Sequence, residues 1–476
     1  MRIVLINPVE SETRGYQNIG NYMPQLGLQV LARQTPAEHT IDIIDEVFGQ
    51  NRTRELLESG RYDLVGITAY TSQATRAYEL AIMCRRMGLP CVMGGPHAWA
   101  EPDEAAQYFD SVVVGEADTI WPAIIADAAA GKLQARYKGS RAELKEGLGS
   151  ADQSRQPING AYGIGSIQTS RGCPVGCDYC SVTSFSGAKI RRRPIAEIIE
   201  EWNRTPNKFL FVVDDNFFGV GREHAAWAKE LLRAIIKHGK KRLWFSQTTI
   251  NMGSDREAVR LAYKAGCRGM LIGFESFNTD NLKECGKMIN SRLRSRYREL
   301  VDAYHRGGIA VFGAFIVGAD HDDEDTVADT LSQAVRLGVD IIQITNLTPL
   351  PGTKLYQQYI SDDRIFANKY PDDWKKYTFI QTVYHPRKMT AKQLDDSLYE
   401  LRHAAANHNW VWKRTLKSLW RTRSFSTAVF VHNVNMQFAQ LAQAVTSRDT
   451  ERSGILDCTS DRMEKIRRAM AFSAFR

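Results

Sequence analysis

The chain has 476 residues, of which 43% are hydrophobic and 24% are charged, values that are ordinary for a folded protein of about three domains at about 100–200 residues each. This composition excludes extended disorder and fibrous repeats, and no stretch approaches the roughly 18 consecutive apolar residues of a membrane span. The net charge of +8 comes mostly from residues 411–476, which hold 12 lysines and arginines against 5 aspartates and glutamates. Such a basic region favours an anionic partner or surface, or is simply a solvated helical face.

The N-terminal third alternates predicted strands and helices. The chain starts on a strand-like run and not on a signal peptide, so we expect a cytoplasmic protein. Near-continuous apolar runs predict the parallel strands of a doubly wound α/β sheet within residues 1–140. These runs are Ile3–Asn7, Thr40–Asp45, Leu64–Ala69, Cys91–Met93 and Ser111–Val114, and the last of them is expected to close the series.

Ligands of such sheets bind beyond the carboxyl ends of the strands. The residues at those ends are Thr68 and Ser72, Gly94, Gly95 and His97, and Gly115 and Glu116. Glycines at a strand end let a bulky ligand approach the backbone, or they serve only a tight turn.

A second alternation follows residues 141–165, which are rich in glycine, serine and charged residues and are predicted to be a linker. Six strands are expected within 166–360, separated by helices near 194–203, 222–238, 255–265, 290–306 and 323–337. They are Ser166–Thr169, Phe209–Val213, Leu243–Thr248, Gly269–Phe274, Ala310–Val317 and Asp340–Thr345. Six units are too few for an eight-unit barrel, so we expect an open, partial (β/α)6 barrel. Residues 361–476 lose this rhythm and are predicted to be mostly helical.

Three of the eight cysteines lie within eight residues, at Cys173, Cys177 and Cys180, in a loop after the first barrel strand. A structural zinc site normally needs four protein ligands, and the sequence shows no second cysteine pair; a catalytic zinc with three cysteines stays open. A [4Fe–4S] cluster takes one thiolate per iron, so three cysteines would leave one iron open for a substrate or cofactor.

The Cys-x3-Cys-x2-Cys spacing, with Tyr179 before the third cysteine, resembles the radical S-adenosylmethionine (SAM) superfamily. The resemblance implies that the three cysteines hold a [4Fe–4S] cluster whose open iron binds SAM, and that reductive cleavage of SAM gives a 5′-deoxyadenosyl radical. It implies a SAM pocket formed at the strand ends by Tyr179, Asp214, Asp215, Gln247, Glu275 and Gly318. Asp214 or Asp215 would accept hydrogen bonds from the SAM ammonium, or would only cap a turn.

The N-terminal domain is similar to the cobalamin-binding domain that precedes many radical SAM barrels. The resemblance rests on Gly94-Gly95-Pro96-His97 and on Val112-Val113-Val114-Gly115-Glu116, and it implies corrin contacts at Thr68, Ser72, Gly94, Gly95, His97, Gly115 and Glu116. The cobalt-ligating Asp-x-His-x-x-Gly motif of other cobalamin proteins is absent after the first strand, where Asn7-Pro8-Val9-Glu10 stands. The lower axial ligand is therefore unassigned.

The sequence thus predicts a cobalamin-dependent radical SAM enzyme that methylates an unactivated carbon of a small-molecule or lipid substrate. Radical cyclisation, oxidation or rearrangement on the same scaffold is the alternative, and a non-catalytic corrinoid- or metal-binding protein is a second one. We expect a reductant such as flavodoxin or ferredoxin and no nucleic acid. The basic amphipathic run Asp461–Met470 predicts contact with an anionic membrane surface, or else docks on the protein body.

Overall fold

The computed structural model describes residues 1–9 and 23–453. Cys458 and the amphipathic run Asp461–Met470 lie outside this part of the chain, as does most of the loop after the first strand. Within it, no helix is long and apolar enough to cross a membrane.

The N-terminal sheet is parallel throughout, with strand order 2-1-3-4-5-6. Its strands are β1 Arg2–Asn7, β2 Thr40–Asp45, β3 Leu64–Thr68, β4 Cys91–Gly94, β5 Ser111–Val114 and β6 Arg136–Lys138. The helices described between them are α1 Leu26–Gln34, α2 Asn51–Glu58, α3 Ala74–Arg86, α4 Pro96–Ala100, α5 Pro102–Ala105 and α6 Trp121–Ala129.

Strand β6 corrects the expectation that Ser111–Val114 ends the sheet. Arg136 and Lys138 flank a single apolar residue, Tyr137, in this three-residue edge strand. Such a segment has no apolar run that would predict a strand, and it is defined only by pairing with β5.

The second sheet is also parallel, with strand order 14-13-12-11-10-7, and its first and last strands are not paired with each other. This confirms the open six-stranded barrel. The strands are β7 Gly165–Ile167, β10 Phe209–Val212, β11 Leu243–Thr248, β12 Cys267–Glu275, β13 Ala310–Val317 and β14 Ile341–Asn346. Between β7 and β10, the short strands β8 Ser170–Arg171 and β9 Arg191–Arg192 form an antiparallel pair.

Helix α7 Ser181–Ser186 lies in the loop between β8 and β9. The other helices of this region follow the barrel strands and pack on one face of the sheet. They are α8 Ile195–Arg204, α9 Arg222–His238, α10 Arg256–Lys264, α11 Thr279–Glu284, α12 Met288–Leu293, α13 Tyr297–Arg306 and α14 Glu324–Leu337. Local sequence determines both ends of α14. The Asp323 side chain caps its first turn, and Gly338, in the left-handed conformation, ends it. The helix expected over 290–306 is instead broken between α12 and α13 by a 3-10 turn, Arg294–Arg296.

The C-terminal region is mostly helical, as expected. Its helices are α15 Lys354–Ser361, α16 Ala391–Ala405, α17 His408–Thr422 and α18 Phe425–Ser453. Phe430 and Val431 of α18 pack against Ala310, Phe312 and Ile341 on the barrel face that the other helices leave open. The C-terminal region therefore completes the barrel core. The division into 1–140, 141–165, 166–360 and 361–476 stays a prediction.

Candidate active site

The three predicted cluster cysteines lie in the loop between β8 and β9. Gly172, directly before Cys173, has φ +99°, and a Cβ there would lie 2.3 Å from the carbonyl oxygen of Lys189. Only glycine fits such an approach without moving the backbone. The pairing of β8 with β9 closes the base of the loop, so the cysteines are presented as one unit.

The carboxyl end of β10 anchors this loop from below. The buried Asp214 carboxylate accepts hydrogen bonds from the backbone N–H of Thr169 (2.6 Å) and Ser170 (3.1 Å), and Asp215 accepts one from the Gly172 N–H (2.7 Å). Burial raises the pKa of Asp215 to about 6. The structure thus places both aspartates under the loop; their predicted contact with SAM stays a prediction.

Lys287 is a functional candidate that the sequence did not reveal. Its ammonium is buried and lies 2.8 Å from a carboxylate oxygen of Glu275. Burial would lower the pKa of Lys287, but the Glu275 carboxylate and the Cys177 thiolate raise it above its usual value. Lys287 is therefore charged, and its field favours thiolates at Cys173 and Cys177.

Glu275 is itself held in an unusual backbone conformation at the end of β12. It has φ +64°, and the pairing with β13 shifts register between Gly273 and Glu275. Because a non-glycine residue with positive φ is uncommon, and such strain clusters at functional sites, this supports the prediction that Glu275 belongs to the site.

A cluster of four irons fits the cysteine loop better than a single metal ion does. Burial raises the pKa of all three thiols, that of Cys180 to about 12, and a hydrogen bond with Tyr179 partly offsets the effect at Cys177. Among the described residues, no three His, Cys, Asp or Glu side chains converge closely enough for one ion. In a [4Fe–4S] cluster each thiolate binds a different iron, so the ligands stand apart.

A fourth thiol, Cys285, lies beside the same loop. Its carbonyl oxygen accepts a hydrogen bond from the Asp178 N–H (3.1 Å). Burial raises the pKa of Cys285 to about 12. No sequence pattern groups Cys285 with the other three cysteines, because it is more than 100 residues away along the chain.

Gly318 and Gln247 lie at the carboxyl ends of β13 and β11. Gly318 has φ +94°, and a Cβ there would meet the Tyr384 hydroxyl at 2.5 Å. Its N–H donates to Asp322 (3.0 Å), while the Gln247 side-chain amide donates to the Asp214 carbonyl (2.9 Å). Both residues thus stand at the barrel edge that carries the cysteine loop, where the SAM pocket is predicted.

The predicted corrin contacts gather at the carboxyl edge of the N-terminal sheet. Thr68 pairs with Gly94, and a Cβ on Gly95 (φ +93°) would lie 2.6 Å from the Thr68 hydroxyl. Gly115 (φ +107°) approaches the Gly139 backbone equally closely. Ser72 is half-buried in the 3-10 turn after β3. These approaches are made by other parts of the same sheet edge, so the turns themselves require glycine at both positions; their contact with a corrin stays a prediction.

His97 has a different environment from the other predicted corrin contacts. Its side chain is fully buried, and its Nε2 lies 2.9 Å from the Tyr78 hydroxyl. Glu104 accepts hydrogen bonds from Tyr78 (2.6 Å) and from the Trp374 indole (2.8 Å) of the C-terminal region. This network gives His97 a structural role; its contact with cobalamin stays a prediction.

Glu116 joins the two predicted cofactor regions. One carboxylate oxygen accepts a hydrogen bond from Arg171 (2.9 Å), two residues before Cys173, and both oxygens pair with Arg191 of β9. Asp118 adds a second ion pair with Arg171 (2.7 Å). All four side chains are largely buried. The edge of the N-terminal sheet is therefore clamped to the base of the cysteine loop.

Tyr70 lies between these two edges. It follows β3 and is 51% exposed. The charge of Asp215, at the end of β10, acts on its hydroxyl, so the edge that carries Tyr70 faces the base of the cysteine loop. Three thiols presented by one loop fit a [4Fe–4S] cluster, and the Glu116 clamp brings the predicted corrin edge next to that loop.

Comparison with known proteins agrees with this geometry. Residues 16–125 match the B12 binding domain family, and residues 167–334 match the Radical SAM superfamily. The chain is 28% identical to the bacteriochlorophyllide d C-12(1)-methyltransferase of Chlorobaculum tepidum, over 86% of this chain and 88% of the relative. It is 25% identical to the hopanoid C-2 methylase of Rhodopseudomonas palustris, over 73% and 66%.

Solved structures share the overall fold. The radical SAM methyltransferase TsrM from Kitasatospora setae, solved with cobalamin and a [4Fe–4S] cluster, superposes with a TM-score of 0.66 at 16% identity, covering 93% of this chain and 99% of that one. From both family matches and these relatives, the chain belongs to the radical SAM superfamily, in the group that carries a cobalamin-binding domain and uses a [4Fe–4S] cluster, SAM and cobalamin.

Proposed function

We propose that this enzyme transfers a methyl group to an unactivated carbon of an apolar small molecule or a lipid. The observation that carries the proposal is the clamp of Glu116 to Arg171 and Arg191, which fixes the corrin-contact edge opposite the cysteine loop. When bound, the cofactors supply radical generation from SAM and methyl transfer from cobalamin. The protein contributes a fixed distance between the two predicted cofactor regions, because methyl transfer needs the reacting groups to be held in position.

The inner face of the barrel supports an apolar substrate. Strand register places five half-buried, uncharged side chains on the face that the barrel helices leave open, namely Gln247, Ala314, Ile316, Gln343 and Thr345. Phe245 and Leu271 share this face but pack in the cluster that α18 completes. A lining without charge, with a few polar groups, suits a largely apolar ligand. The relatives that methylate bacteriochlorophyllide d and hopanoids point to the same class.

The protein side chains would act by holding and shielding the reactants. Lys287 keeps a positive charge beside the cysteine loop, and Asp214 and Asp215 hold that loop on β10. Tyr384 and Asp322 fix the turn at Gly318. These contacts let the predicted SAM pocket form before any substrate enters.

We also propose a flavodoxin or ferredoxin as reductant, because cleaving SAM consumes an electron, and a cytoplasmic location. The seven described cysteines form no disulfide, which is typical of a reducing compartment.

The test uses full-length protein, purified without oxygen, reconstituted with iron, sulfide and cobalamin, and reduced in the presence of SAM. Formation of both 5′-deoxyadenosine and S-adenosylhomocysteine, with a one-methyl mass gain in a metabolite extract, supports methyl transfer. Deoxyadenosine alone would favour the radical cyclisation seen in the name of another relative, the anaerobic magnesium-protoporphyrin IX monomethyl ester cyclase of Rubrivivax gelatinosus. Formation of neither product would leave only a binding function.

A further inference from the structure

A group of large apolar side chains is exposed on the hairpin formed by α17 and the start of α18. Trp420 is 80% exposed and Phe425 is 76% exposed, values far above those of ordinary surface aromatics. The group, here called the aromatic hairpin face, consists of Trp412, Leu416, Leu419, Trp420, Phe425 and Val429.

These side chains form one continuous surface. The four α17 members are spaced i, i+4, i+7 and i+8, which places them on one side of the helix. Arg423, in the left-handed conformation, ends α17, and α18 packs back along it. The rings of Trp412 and His432 meet with centroids 4.5 Å apart, so the exposed sides of the two helices join.

The hairpin is firmly attached to the barrel on its other side. The buried Thr427 hydroxyl donates to the Gly308 carbonyl (2.7 Å), and Arg421 donates to the Gly338 carbonyl (3.0 Å). Phe430 and Val431 belong to the barrel core. The aromatic hairpin face is therefore a rigid surface of the folded protein and not a frayed end.

The hairpin that carries this face is positively charged. Residues 401–448 contain no aspartate or glutamate but seven lysines and arginines. Lys413 and Arg423 are both exposed next to the apolar side chains, and the Lys413 ammonium lies 5.5 Å from the centre of the Trp410 ring. A hairpin with exposed tryptophans and cations and without carboxylates of its own has the composition of a protein surface that enters the headgroup region of a bilayer.

Charge also decides between the possible occupants of the face. A second copy of the chain, in a symmetric dimer, would set the same cations against each other. An anionic lipid surface satisfies both the apolar side chains and the cations.

We propose that the aromatic hairpin face docks this enzyme on an anionic membrane surface. The tryptophan, leucine and phenylalanine side chains enter the interface, and Lys413 and Arg423 contact lipid phosphates. The docking does not depend on the proposed methyl transfer, because the evidence for it lies outside the site.

The experiment is vesicle flotation of the full chain with two vesicle types, pure phosphatidylcholine and an equimolar mixture of phosphatidylcholine and phosphatidylglycerol. The parent protein should float with the mixed vesicles and much less with the neutral ones. The W420S/F425S double variant should lose at least tenfold in partitioning, and K413Q/R423Q should lose about fivefold for each cation removed. The matched control is I360S/F366S, which removes two other exposed apolar side chains, 49% and 42% exposed, outside the face.

Since Trp420 and Phe425 are mostly exposed, the double variant should melt like the parent. Flotation that is unchanged in W420S/F425S, or absent in the parent, would overturn the proposal. A parent protein that is dimeric while the double variant is monomeric would also overturn it, because the face would then be occupied by a second copy of the chain. RNA binding that depends on the same face would overturn it as well. Product assays in detergent, without vesicles, report on methyl transfer separately.

Discussion

Glu116→Gln removes the charge that holds the two predicted cofactor regions together. Beside the neutral amide oxygen of the new glutamine, Arg191 would keep the carbonyl oxygens of Ala142 and Ser186, while Arg171 would keep Asp118 and Gln168. Both arginines are largely buried, with side chains 4% and 11% exposed, so water cannot replace the lost carboxylate. Breaking a buried ion pair by removing one partner costs about 3–5 kcal/mol, and the retained amide oxygen of glutamine places this case near about 3 kcal/mol.

The consequence is local opening of the clamp. A loss of about 3 kcal/mol corresponds to a roughly 100-fold increase in the open population. Hydrogen–deuterium exchange measured by mass spectrometry should therefore be faster in peptides that cover residues 115–118 and 170–193, while exchange in the barrel strands should stay unchanged. Cobalamin binding should weaken together with this opening.

Glu143→Gln is the matched control. Glu143 follows β6 and pairs with Lys189 of the same cysteine loop (2.7 Å), but its side chain is 52% exposed and that of Lys189 is 77% exposed. We expect no measurable change in exchange. If Glu116→Gln behaved like this control, the clamp would not hold the two regions together, and the reasoning from burial would be refuted.

Three further predictions concern the site. Lys287→Met leaves the buried Glu275 carboxylate without its ammonium, so it should cost about 3–5 kcal/mol of stability and lower the iron content of the reconstituted protein. Lys354→Met, at the exposed pair with Asp178, should change neither quantity. Equal iron content in both variants would contradict the role of Lys287. Cys177→Ala should abolish the visible absorbance of the reconstituted cluster, while Cys285→Ala should keep it; the reverse would assign Cys285 as a ligand. Burial raises the pKa of Asp322 to about 6 from a usual 3.8, so the folded state binds this proton more tightly, and stability should fall by about 3 kcal/mol as pH rises from about 4 to about 6. Thermal melts across this range should show a flatter pH dependence for Asp322→Asn, and an unchanged slope would contradict the predicted pKa.

The sequence by itself determined which segments form most of the parallel strands and where the cysteine loop lies. Buried parallel strands must be continuous apolar runs, so β1 to β5 and the barrel strands are visible locally. The spacing of Cys173, Cys177 and Cys180 is likewise local, because all three ligands come from one loop. Strand β6 escaped prediction because only its pairing with β5 makes Arg136–Lys138 a strand.

The tertiary structure decided which side chains face each other across the site. Glu116 and Arg191 are 75 residues apart, and Gly318 and Tyr384 are 66 apart, so no pattern in the chain links them. Lys287 reads as an ordinary helix-flanking lysine until the fold buries it against Glu275 and the cysteines. The physical reason is that hydrophobic periodicity encodes burial along one segment, while charge complementarity between segments exists only once folding has brought them into contact.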